Sequence, residues 1–301
     1  MASAPAGAGV RLKTIVYLTD FSEPSEAALP FALAISRKYG AKICALHILV
    51  PSSRMYPSPE TAVNTFEAEE EHAQVEMQRV ESQLVGLPHE TIVDRGPAIW
   101  PVVERTLRDS SADLIVLGTH GRTGAQKLVM GSVAEEIFRL SSIPVVTIGP
   151  AVRTSAHGGA RFHRVLFATD FTPESLAAAP YAVSLAQENR ARLVLIHVMH
   201  KRGHRGEEAD GAFEMSVAEV IHRLYETVPD PAELFCPPEV AVEYGKPADR
   251  IVEAAKLRAA DLIVLGVRSA EGHLSAATHL DRATAHRVVA HASCPVLTVR
   301  G

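Results

Sequence analysis

Four glycines fall between Leu117 and Gly131 in the stretch LGTHGRTGAQKLVMGSVAEEI, residues 117 to 137. Glycine lets other atoms approach the backbone closely and accepts positive φ, at an entropic cost in the folded chain. The run before the glycines, Leu114 to Leu117, is apolar without alternation and reads as a buried strand. The residues after them, Ser132-Val133-Ala134-Glu135, have capping-box spacing, which predicts a helix starting at Ser132 with that serine as its cap. A strand, a glycine loop and a helix N-terminus together can seat an anion on unpaired backbone N–H groups. The same residues can also serve as nothing more than a sharp turn with a capped helix, and the glycines alone leave both readings open.

The elements around this stretch recur. KTIVYLTDF at 13 to 21 returns as HRVLFATDF at 163 to 171, and AKICALHIL returns as ARLVLIHVM. ADLIVLG occurs twice, and SSIPVVTIG is matched by ASCPVLTVR. The offset stays between 148 and 151, which marks the duplication of a whole domain. Domain boundaries are expected at 1–150 and 162–301, with residues 151–161 as a linker poor in apolar periodicity.

Within the first copy, strands are predicted at TIVYLT, KICALHILV, ETIVDR, DLIVLG and PVVTIG. Helices are predicted from Pro24 to Lys38, Glu60 to Leu84, Ala98 to Asp109, and at Ser132. Such alternation implies an α/β fold: two tandem doubly wound, Rossmann-like domains, each with an open five-stranded parallel sheet. Ligands of such sheets sit beyond the carboxyl ends of the strands, where the winding reverses. That rule singles out the loop after the first strand, with Thr19 and Asp20, and the glycine stretch.

Composition narrows the classes. The chain has 301 residues, net charge −5 and 47% apolar residues, with no basic block. A globular protein without a nucleic-acid or membrane-surface footprint is expected, and no apolar run reaches the length of a membrane helix. The opening MASAPAGAGVRLK lacks signal-peptide character and reads as a short disordered lead-in. Cys44, Cys236 and Cys294 are far apart and read as structural thiols. His279, Asp281 and His286 have no ligand spacing, so no metal is expected.

The spacing Gly118, two residues, Gly121, nine residues, Gly131-Ser132, with Thr19-Asp20 after the first strand, resembles the ATP-binding type of the universal stress protein family. The resemblance extends over both copies. It implies ATP as ligand, with or without Mg2+, with the nucleoside near Leu18, Thr19, Asp20 and Ile48 and over Leu117 and Gly118. It places His120 and Gly121 at the opening of the phosphate loop, and Gly131, Ser132, Val133 and Ala134 against the phosphates. Asp20 could otherwise simply cap the helix that follows. Arg122 and Lys127 are expected to be solvated.

The second copy keeps Thr169, Asp170 and Val198. Aligning the closing strands puts Ser269 at the place of Gly121 and Arg282-Ala283 at that of Gly131-Ser132. Side chains there would crowd a phosphate seat, so a degenerate second site is expected. The resemblance implies a cytoplasmic nucleotide-sensing module of the stress response. It also implies closing strands paired within the chain and a homodimer beyond that. The alternatives are a slow ATPase or self-phosphorylating enzyme using Thr123 or Ser132, for which no general base stands out, and a dimerisation scaffold without turnover.

Overall fold

A computed structural model describes residues 10–51, 59–119, 130–152, 161–199, 215–228, 234–268 and 284–301, with side chains of the third helix described from residue 63. The chain divides into two compact units, Arg11–Ala160 and Arg161–Gly301.

In the first unit the order is β1 (Thr14–Leu18), α1 (Glu23–Glu26), α2 (Leu29–Tyr39), β2 (Lys42–Leu49), α3 (Pro59–Leu84), β3 (His89–Arg95), α4 (Ile99–Asp109), β4 (Leu114–Gly118), α5 (Ser132–Leu140) and β5 (Val145–Ile148). The strands pair in the order β3-β2-β1-β4-β5, all parallel. Every residue of β1 is buried, as expected of a central strand covered on both faces. Helix α3 turns Ala73, Met77, Val80 and Leu84 inward, a spacing that keeps one face on the sheet.

The second unit repeats this with β6 (Arg164–Ala168), α6 (Pro173–Leu176), α7 (Ala179–Asn189), β7 (Arg192–Met199), α8 (Val217–Glu226), β8 (Glu239–Tyr244), α9 (Pro247–Leu257), β9 (Leu262–Val267), α10 (Thr284–His291) and β10 (Val296–Arg300). Its strands are also parallel, in the order β8-β7-β6-β9-β10. The doubly wound α/β class expected from the alternation is the observed one.

Two local expectations need correction. The helix from Pro24 to Lys38 is two helices, α1 and α2, separated at Ala27-Ala28. Pro30 sits in the first turn of α2, where it lacks the N–H that a continuous helix would need. Helix α5 does begin at Ser132, but its cap is Gly131, in extended conformation, with no side-chain cap hydrogen bond. The capping box is therefore not formed, and Ser132 occupies the first helical position.

In each unit one carboxylate, just before the fourth strand, ties that strand to the start of the first. Asp113 accepts the N–H groups of Lys13 and Thr14 at 2.7 and 3.0 Å. Asp261 accepts those of His163 and Arg164 at 2.7 and 3.1 Å. Burial pushes the Asp261 carboxyl above its ordinary range, against these hydrogen bonds, which lower it.

Candidate nucleotide site

The loop after β1 is built by its own side chains. The Thr19 hydroxyl accepts the Phe21 N–H at 3.0 Å, and Asp20 Oδ1 accepts the Ser22 N–H at 3.1 Å and the Ser22 hydroxyl. Phe21 is driven to φ 60°, a left-handed conformation that a bulky residue adopts only under constraint. The constraint is visible on its other side: the Phe21 ring lies 4.3 Å from the His47 ring, centroid to centroid. His47 reaches back from β2, with Nδ1 2.8 Å from the Thr19 carbonyl oxygen. Beneath the loop, Tyr17 donates to the Ser25 carbonyl at 2.9 Å, and burial pushes its phenol well above the usual range. Ser22 caps α1, so Asp20 acts one step earlier, bracing the cap rather than being it.

Across the switch point, β4 ends at Gly118. A Cβ there would lie 2.8 Å from the Pro24 carbonyl carbon and 3.0 Å from the Ser25 nitrogen. Gly118 is thus required by the close approach of α1, independently of any ligand. Beyond it, the Thr119 N–H donates to the Ile148 carbonyl at 2.9 Å, and the Gly131 N–H donates to the Thr119 carbonyl at 2.7 Å. With Gly131 engaged, the amides left to face outward at the start of α5 are those of Ser132, Val133 and Ala134, which have no helical acceptor. They carry the positive end of the helix dipole.

These parts enclose a cavity of about 300 Å³. Leu18, Thr19, Asp20 and Ile48 line one side, Leu117 and Gly118 the floor, and Gly131, Ser132, Val133 and Ala134 the helix end. The volume falls at the lower end of the about 300–1,000 Å³ of small-molecule sites. His120, Gly121, Arg122, Thr123 and Lys127 lie outside the described residues.

Sequence reasoning did not pick out Ser25, Leu46, His47, Ile99 or Thr119, which also line the cavity. His47 carried a signal in retrospect, a polar residue inside an apolar strand that recurs as His197. Ile99 carried none, because the proximity of α4 to β1 follows from the strand order alone.

The second unit reproduces the turn after the first strand and its histidine. The Thr169 hydroxyl accepts the Phe171 N–H at 2.9 Å, and Asp170 Oδ1 accepts the Thr172 N–H at 3.0 Å and its hydroxyl at 2.6 Å. His197 Nδ1 lies 2.8 Å from the Thr169 carbonyl oxygen, and its ring stacks on Phe171, which again has φ 64°. The adjoining cavity is smaller, about 170 Å³. Ser269, Arg282 and Ala283, on which the expected loss of a phosphate seat rested, lie outside the described residues, as do His279 and Asp281.

Among the described residues no group of three or more His, Cys, Asp or Glu side chains could hold a metal ion, and no helix is long and apolar enough to cross a membrane.

A family model described as the universal stress protein family matches residues 11–149 and again 161–300. A universal stress protein of Mycolicibacterium smegmatis is 27% identical over 292 residues, covering 93% of this chain and 95% of its own. One of Methanocaldococcus jannaschii is 26% identical over 166 residues, covering 46% of this chain and 96% of its own. Among solved structures, a universal stress protein of Archaeoglobus fulgidus superposes with a TM-score of 0.69 at 24% identity, covering 97% of each chain.

Proposed function

The chain belongs to the universal stress protein family, and we propose that its first unit binds ATP while its second unit does not. The observation that carries this reading is the cavity at the β1/β4 switch point, open to the amides of Ser132, Val133 and Ala134. Each part of the ligand has a chemically suited wall. Leu18, Ile48 and Ile99 offer apolar surface to a purine ring. Asp20, an acceptor-only carboxylate, suits the hydroxyls of a ribose. The start of α5 suits phosphate oxygens, because a helix N-terminus combines free donors with a positive dipole end. His120 and Gly121 belong to the same proposed site on sequence grounds. Residues 1–150 form the nucleotide-binding domain in this reading, 151–161 the linker, and 162–301 a partner domain with a degenerate site. In this reading the module senses nucleotide status inside the cell without rapid turnover.

Calorimetric titration of the full chain with ATP, beside its Gly131→Val variant, tests the proposal. Gly131 has φ −64° and ψ 152°, angles that valine adopts without strain, so the fold should survive the change. One ATP per chain, lost in Gly131→Val, is the expected result. Equal affinity of the two proteins would show that the phosphates do not lie against α5, and two equivalent ATP sites would defeat the assignment to one unit.

A further inference from the structure

The Phe171 ring carries two neighbours that fix its turn. Its backbone has φ 64°, a left-handed conformation that a bulky residue keeps only under constraint. The His197 ring stacks on it at 4.7 Å between centroids, 24° from parallel. Arg223 of α8 brings its guanidinium carbon to 4.5 Å from the same centroid. Phe21, the counterpart in the first unit, has His47 beside it but, among the described residues, no cation over its ring. Arg223 has a second contact: its Nη1 donates to Sδ of Met215 at 3.1 Å. Met215 immediately precedes the capping box of α8, in which Ser216 and Glu219 each bond the other's backbone N–H. Sulfur and guanidinium therefore meet along one ordered helix. Met215 is half-buried, whereas Met77, Met130 and Met199 are buried.

We propose that Met215 is a site of reversible oxidation by peroxides, and that its sulfoxide draws Arg223 off the Phe171 ring. A sulfur lone pair attacks one peroxide oxygen, an S–O bond forms and the O–O bond breaks. The other oxygen leaves as hydroxide and takes up a proton to become water. Sulfur loses two electrons and the peroxide gains them. A thioether is a weak acceptor, whereas the sulfoxide oxygen is polar, and its hydrogen bond from a guanidinium is charge-assisted. The 3.1 Å between Sδ and Nη1 leaves no room for an added oxygen, so forming that bond displaces Arg223. Arg223 is exposed, where a cation–π contact is weaker than a charge-assisted hydrogen bond, so the ring contact gives way. Phe171 then relies on His197 and on its own N–H bond to the Thr169 hydroxyl at 2.9 Å. The device belongs to the second unit and needs no ligand in either cavity.

Brief treatment of the full chain with hydrogen peroxide, followed by peptide mass spectrometry and amide hydrogen exchange, tests this. Sulfoxide should form at Met215 well before Met77, Met130 and Met199. In the oxidised chain the Phe171 amide should exchange about two- to fivefold faster, the equivalent of one exposed cation–π contact. Methionine sulfoxide reductase should restore the slower rate. The Phe21 amide, which makes the same bond to Thr19 at 3.0 Å, should not respond. In Arg223→Gln the Phe171 amide should already exchange at the faster rate, and peroxide should add nothing. Met215→Leu should keep the slow rate under peroxide, which separates this site from Met1 and Met55. Oxidation of Met215 no faster than that of the three buried methionines overturns the site. An unchanged Phe171 amide after oxidation, an equal response at Phe21, or a full peroxide response in Arg223→Gln overturns the switch.

Discussion

His47 Nδ1 lies 2.8 Å from the carbonyl oxygen of Thr19, and both are buried. A carbonyl can only accept, so Nδ1 is the donor in this bond. Together with the Thr19 N–H, which donates to the Leu46 carbonyl at 3.0 Å, this bond joins β2 to the turn after β1 that carries Asp20 and Phe21. His197 and Thr169 repeat it at the same distance in the second unit.

Replacing His47 with Phe keeps a flat ring beside Phe21 but removes the donor to Thr19. An unsatisfied buried carbonyl costs about 1–3 kcal/mol, so urea unfolding of the first unit should shift by that amount. ATP affinity should fall as well, because the turn carrying Asp20 loses its brace. His197→Phe should destabilise the second unit and leave ATP binding unchanged. ATP affinity that responds equally to both substitutions would contradict the assignment of the site to the first unit.

Gly118 and Gly266 should behave alike, although only one adjoins the proposed ATP site. A Cβ on Gly118 would meet the Pro24 carbonyl carbon at 2.8 Å, and one on Gly266 would meet that of Glu174 at 2.7 Å. Both obstacles are backbone and cannot rotate away, so Gly118→Ala and Gly266→Ala should each destabilise by about 1–3 kcal/mol, the range of overpacked cores. A neutral Gly266→Ala in denaturant unfolding would show that α6 can back away from β9 and that the contact is not limiting.

Asp170 should titrate below its usual range. Burial opposes this, but the hydrogen bonds from Thr172 and Ser175 prevail. A carboxyl depressed in the folded state contributes stability above its unfolded value of about 3.9, and loses that contribution as pH falls through the folded value. The effect is therefore confined to acid, below about pH 4. Carbonyl-carbon NMR should find the Asp170 midpoint depressed and Thr172→Ala should raise it. A midpoint indifferent to Thr172 would assign the shift to something else.

The three thiols should separate by access. Burial pushes Cys44 up to about 11 and Cys294 up to about 12, and both side chains are buried. Cys236 is partly exposed. Since the thiolate is the reacting form, a disulfide reagent at neutral pH should modify Cys236 alone in the native chain and all three after denaturation. Rapid native labelling of Cys44 would mean that β2 opens far more readily than its place in the sheet implies.

The sequence by itself determined the duplication, the alternation of strands and helices, and hence parallel doubly wound sheets, because each depends on neighbours within a few residues or on repetition at one offset. It also marked the loops after β1 and β4, since a winding reversal follows from the alternation. What it could not separate were the two duties of its glycines. Gly118 answers to a backbone carbonyl at Pro24, a contact between residues far apart in the chain that exists only once β4 lies beside β1. Gly131 has ordinary angles and is the actual cap of α5, displacing the capping box that local spacing implied at Ser132. The break between α1 and α2 is legible in Pro30, which suits the first turn of a helix and not its interior. Asp113, His47 and Ile99 acquired their roles from strand order and register, which set partners across the sheet that no local pattern records. Propensity and periodicity act along the chain, whereas a cavity is a meeting of ends, and only the tertiary structure decides which ends meet.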